Sequence, residues 1–238
     1  MPQEDRSDAH PRGAWGGARR LPGQKTSSLT FATCQRLLAA VDRAEAKGKP
    51  LNIKVDISWE HGGVPERQVT LATQILVRKV RDWIRKHDGP LCWIYVHERG
   101  VRVGAHVHML LHLKRDLIKP FRKATRHWVI AALPGGRYIR GTIRAERLRG
   151  AFAKDGVSDA LYRHDLQRRL QYMLKAADPT RKRELGFDDA PPTGIRWGQR
   201  STVYGRRAGW WQERAGTRDS LIGITAEPDP SDQGERLG

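Results

Sequence analysis

Residues 91–114 read LCWIYVHERGVRVGAHVHMLLHLK. Two apolar, aromatic and β-branched runs, Leu91 to Arg99 and His106 to Lys114, flank a connection from Gly100 to Ala105. A connection this short, opened by a glycine, returns the chain on itself, so the two runs pair as an antiparallel hairpin. A lone hairpin is marginal in water. It needs further strands and a covering layer, and the rest of the chain must supply them.

Thr33 to Lys47 has helical character and is stopped by Gly48 and Pro50. Leu51 to Glu60 alternates, with Ile53, Val55, Ile57 and Trp59 on one side and Lys54, Asp56 and Ser58 on the other. That pattern predicts a half-buried strand. Val69 to His87 places Leu71, Ile75, Leu76, Val80, Trp83 and Ile84 at helical spacing, and Asp88-Gly89-Pro90 ends it. Lys119 to Leu133 predicts a helix and Arg137 to Arg147 a strand. Ser158 to Ala177 predicts a second long helix, with Ser158 as its cap. Beyond Pro179 the chain is irregular, basic and aromatic. This order of elements predicts an α+β fold, a central antiparallel sheet with packed helices.

Residues 1–28 are rich in Gly, Pro and charge and predict a disordered arm. Residues 29–225 form the expected folded unit, ending in the basic aromatic segment, and 226–238 a disordered tail. Cys34 and Cys92 are too few for a disulfide framework or a four-cysteine zinc site. No apolar run suits a membrane span or a secretory signal, so the expected location is cytoplasmic. Lys and Arg total 44 against 26 Asp and Glu, a net charge of +18. Such a charge points to a polyanionic partner, most simply nucleic acid.

The hairpin also carries chemistry. In a strand, residues two apart share a face, so His106 and His108 present both imidazoles to one side and Val107 turns away. Two adjacent imidazoles suit a divalent metal. Glu98, returned by the hairpin, is a candidate third ligand. The bland alternative is a pair of surface histidines on a basic strand. His112 shares their face further along, as an outer residue or as packing, and His97 points the other way. On the late helix, Leu166, Leu170, Met173 and Leu174 form one stripe. Tyr172, Lys175 and Arg168 fall on the opposite face. A phenol flanked by cations suits a phosphate-directed nucleophile. A tyrosine covering a second layer of core, with merely solvated cations, is the alternative.

Taken together, His106-Val107-His108 and Tyr172-Met173-Leu174-Lys175 resemble the motifs of the HUH endonucleases. They are most similar to rolling-circle replication initiators of the Rep type with one catalytic tyrosine. Glu98 occupies the place of the upstream carboxylate in many of these. The resemblance covers about Leu51 to Ala177. Relaxases place the tyrosine before the histidines, whereas here it follows them. Tyr162 is too far along the helix to be the second nucleophile of two-tyrosine initiators. The Tyr204 to Trp211 segment has no family role.

The resemblance implies an RRM-like core and a metal-dependent endonuclease that nicks and rejoins single-stranded DNA. Glu98, His106 and His108 would hold Mg²⁺ or Mn²⁺. Tyr172 would become a 5′-phosphotyrosine, and Lys175 would steady the developing charge. The partner would be a single-stranded origin hairpin or nick site, with host replication proteins around it, in a bacterial plasmid or phage setting. Arg140, Arg144, Arg168, Arg200, Arg206 and Arg207 are candidate DNA-binding residues, the last three in a stretch that mixes cations with rings. A single-tyrosine transposase of an insertion sequence, a non-catalytic nucleic-acid-binding repressor and a water-using nuclease are the alternatives.

Overall fold

The computed structural model describes residues 24–89, 91–101, 103–152, 156–187, 196–198 and 200–212. Its elements in chain order are β1 (Lys25–Thr26), α1 (Phe31–Ala46), β2 (Ile53–Ile57), α2 (Val69–His87), β3 (Trp93–Gly100), β4 (Gly104–Leu111), α3 (Ile118–Ala132), β5 (Ile143–Arg147), α4 (Gly156–Leu174), β6 (Val203–Tyr204) and β7 (Ala208–Trp210), with short 3₁₀ turns between some of them. The fold is α+β, as expected. An antiparallel five-stranded sheet runs in the order β5-β2-β4-β3-β7, and β1 pairs with β6 in a separate two-stranded ribbon.

Both faces of the large sheet are covered. On one, α1 and α4 pack Leu37, Val41, Leu166 and Leu170 onto Ile94, Val96 and Leu110. On the other, α2 and α3 pack Leu76, Val80, Phe121 and Val129 onto Ile53, Val55, Val107 and Met109. The strand expected at 51–60 is therefore shorter and not half-buried. Lys54 is only 8% exposed, because its side of the sheet is roofed as well. Trp59 lies past the end of β2 but stays in the core, donating its indole N–H to Thr73 at 2.8 Å.

Local chemistry sets the helix ends. The Thr30 side chain accepts the Thr33 N–H at 3.2 Å and caps α1, which orphan donors at a helix start require. Gly48, at φ +66°, turns the chain out at the other end. α2 has the expected bounds, although Leu71 faces outward at 56% exposure. α4 begins at Gly156, so Ser158 lies within its first turn and is not the cap. It ends at Leu174, which leaves Lys175 just beyond the last turn. The strand expected over 137–147 begins only at Ile143, because Gly141, at φ +93°, interrupts extended backbone.

The stretch from Val203 to Trp211 is more regular than its composition suggests. β7 joins the edge of β3. Trp211 is buried and donates its indole N–H to the Ala40 carbonyl at 3.0 Å. Gly209 has no side chain for a reason: a Cβ there would sit 2.6 Å from the Tyr95 ring. The arm expected over 1–28 is corrected at its inner end, where Lys25–Thr26 pairs with Val203–Tyr204. Residues 1–23 and the tail at 226–238 lie outside the described residues. Among the described residues no helix is long and apolar enough to cross a membrane.

Candidate metal centre

The hairpin register fixes the site. Gly100 pairs with Gly104, so Glu98 lies directly opposite His106 and Val96 opposite His108. Glu98, His106 and His108 share the sheet face that carries α1 and α4, and all are buried. One donor atom from each lies within 4.8 Å of the others. Glu98 Oε2 is 3.7 Å from His106 Nε2 and 3.5 Å from His108 Nε2. These separations are long for hydrogen bonds. Two donors each about 2.1 Å from one ion are about 3.0 to 4.2 Å apart, which matches both. The three residues could hold a metal ion.

The far sides of both rings support that fit. His106 Nδ1 lies 2.8 Å from the Gly104 carbonyl, and His108 Nδ1 lies 2.6 Å from Asp56 Oδ1. A carbonyl and a carboxylate only accept, so each Nδ1 carries the proton. In the neutral ring, Nε2 then holds the lone pair a metal requires. His108 Nε2 is buried and has no hydrogen-bond partner of its own.

Asp56 comes from β2, where it pairs with His108 on one side and Arg144 on the other. Its Oδ2 accepts from Lys54 at 2.5 Å, and Lys54 lies 4.0 Å from Glu146, which meets Arg169 at 3.1 Å. Burial alone would raise the Asp56 carboxyl. Its bonds to His108 and Lys54, and their charges, instead bring it down to about 2. Burial likewise disfavours a charged His108, yet the hydrogen bond to Asp56, the nearby Glu98 carboxylate and the Asp56 charge raise its pKa above the ordinary value. Glu98 is held well below the carboxylate range: burial opposes this, but the close His106 and His108 rings, the contact with Lys175 and the Lys175 charge prevail.

The end of α4 brings in the tyrosine and the lysine. Tyr172 is half-buried, and its ring stands edge-on to His108 with centroids 5.0 Å apart. Lys175 is buried, with Nζ 2.6 Å from Glu98 Oε1 and 3.6 Å from the Tyr172 ring centroid. Of the three residues expected on one helix face, Tyr172 and Lys175 therefore lie over the sheet, whereas Arg168 is exposed. Glu98 spends one oxygen on Lys175 and turns the other toward the histidines.

Other expected residues are placed elsewhere. Tyr162 is buried and donates its hydroxyl to the Leu51 carbonyl at 3.0 Å. His112 sits at the far end of β4, with Nδ1 2.8 Å from the Pro50 carbonyl and Nε2 4.0 Å from Asp88, so it packs and does not ligate here. His97 faces the opposite side, and burial lowers its pKa to about 3. Arg140, Arg144, Arg168, Arg200 and Arg206 are exposed. Arg207 is not: it is 3% exposed and its guanidinium donates to the Ser201 carbonyl and hydroxyl and the Thr26 carbonyl. Strand parity turns it inward at the sheet edge, so it is a structural cation and not a free DNA contact. Asp56 and Lys54 escaped the sequence reading. Their one signal was the polar side of an alternating strand, which looked solvent-facing.

No protein-family model, no curated protein and no solved structure matches this chain.

Proposed function

We propose that the chain is a single-stranded DNA nicking and joining endonuclease of the HUH class, of the kind that initiates rolling-circle replication. The observation that carries this reading is the meeting of Tyr172 and Lys175 with Glu98, His106 and His108. His108 touches the Tyr172 ring, and Lys175 bridges that ring and Glu98. A passive binder has no use for a phenol, a buried cation and three metal donors in one place.

The chain's own groups divide the work. Mg²⁺ or Mn²⁺, held by Glu98, His106 and His108, would draw charge from the scissile phosphate. Asp56 and Gly104 fix the two imidazoles with Nε2 inward. Tyr172 attacks phosphorus: its Oη–P bond forms and the P–O3′ bond breaks. The phenolic proton is lost and the departing 3′-oxygen gains one. The product is a 5′-phosphotyrosine and a free 3′-hydroxyl, and the reverse attack rejoins the strand. The Lys175 ammonium, 3.6 Å from the Tyr172 ring centroid, is placed to steady the negative charge that develops during the attack.

The test is a covalent one. Labelled single-stranded DNA with Mn²⁺ should give a protein–DNA species on a denaturing gel, absent in excess EDTA and absent for Tyr172→Phe. Cleavage without any adduct would replace this reading with a water-using nuclease. An adduct mapped to another tyrosine would overturn the role of Tyr172.

A further inference from the structure

The Tyr204 to Trp211 segment, to which the resemblance assigns nothing, builds a cleft at the sheet edge. Trp210 pairs with Ile94 and Ala208 with Val96. Ile94 and Val96 share a face with Glu98, so Trp210 stands on the metal-centre side of the sheet. It is half-buried. Facing it, α1 presents Arg36, Ala39 and Arg43, whose spacing puts them on one helix face. With Trp210 and Gln212 these residues line an open cleft of about 400 Å³. Arg206 lies 5.2 Å from the Trp210 ring centroid, and Arg43 5.7 Å from that of Trp211. Among the described residues no carboxylate lines the cleft.

We propose that this cleft is a second contact site for the DNA strand that enters the metal centre, with one base stacked on Trp210 and the adjoining phosphates held by Arg36 and Arg43. The inference rests on the nuclease reading above. An indole flanked by guanidinium groups selects a flat ring joined to anions, which is what an unpaired nucleotide offers and a closed duplex does not. The cleft is also in line with the centre. β7 runs antiparallel to β3, so Arg206 lies toward the Glu98 end and Trp210 away from it. Ile94 is four residues from Glu98, about 13 Å along the strand, and β7 is one strand, about 5 Å, further out. The two sites are thus roughly 14 Å apart. One nucleotide cannot touch both, whereas a few nucleotides of one strand can.

The experiment is equilibrium binding of the full chain to oligothymidines in EDTA, where no cleavage interferes. Lengths of about 4 and about 16 nucleotides bracket the span. Trp210→Ala should weaken the longer strand by about tenfold and leave the shorter within about twofold, with Trp210→Phe recovering most of the loss. Arg36→Glu, at an exposed position, should weaken the longer strand in the same selective way, and it carries the test if circular dichroism shows Trp210→Ala unfolded. Equal losses at both lengths, no loss at all, or a larger loss on duplex of matched length would each overturn the proposal. The two readings fail separately. Trp210-dependent binding without any tyrosine adduct keeps the cleft and removes the nuclease. A normal adduct with Trp210→Ala and Arg36→Glu binding long strands as the wild type does keeps the nuclease and removes the cleft.

Discussion

Replacing Asp56 asks whether the centre depends on how His108 is held. The carboxylate touches His108 Nδ1 at 2.6 Å and Lys54 at 2.5 Å. In Asp56→Asn an amide oxygen can still accept from Nδ1, but the charge that favours this tautomer is gone. In Asp56→Ala the ring loses its partner altogether. Outer partners of ligating histidines are typically worth about 10- to 100-fold in metal affinity, so Asn should fall near the lower figure and Ala near the upper. Stability falls too. A carboxyl at about 2 against an ordinary 3.8 corresponds to ~2 kcal/mol at neutral pH. Removing it leaves Lys54, 8% exposed, with only the 4.0 Å contact to Glu146 from that cluster. Mn²⁺ titration calorimetry reads the first effect, and urea unfolding in EDTA the second. A lower urea midpoint with Mn²⁺ affinity unchanged in Asp56→Ala would mean that Asp56 only supports the fold, and the orienting role would be refuted.

Lys175→Gln should keep Mn²⁺ binding within a few-fold and slow adduct formation about 10²- to 10³-fold in single-turnover assays, the usual loss for one preorganised charge-stabilising group; an unchanged rate would remove it from the reaction. Tyr162→Phe should leave adduct formation intact and cost about 1 kcal/mol in urea unfolding, through the lost hydrogen bond to Leu51. Metal-free stability should depend on pH through the Asp56–His108 pair. The lowered Asp56 contributes fully above its ordinary 3.8 and loses this as pH falls toward about 2. The raised His108 contributes fully below its ordinary 6.5 and loses this as pH rises through its folded value. Thermal melts in EDTA should therefore show the pair's contribution greatest between pH about 4 and about 6.5, and Asp56→Ala should flatten the profile.

The hairpin and its three donors were legible because period-two spacing and a short turn leave one register, and that register sets Glu98 against His106. Tyr172 and Lys175 were legible as a pair but not as neighbours of the histidines, since nothing local says where a helix lands. Asp56 was hidden for the same reason. An alternating strand reads as half-exposed, and only the second helical layer, α1 with α4, makes its polar side an interior. β7 has three residues, too few for any period, so the arginines around it looked equivalent. Pairing with β3 then sent Arg207 inward and left Arg206 outside.

The pairing of β7 with β3 also bears on how the chain is made. During synthesis the β3–β4 hairpin leaves the ribosome long before residues 208–210, and until they dock, the outer side of β3 carries unpaired N–H and C=O groups. Nascent chains at that stage present a hydrophobic template for one another beside the very strand that bears Glu98. Delayed or failed docking of β7 should therefore appear as aggregation during expression, with the molecules that do fold unchanged in Mn²⁺ binding.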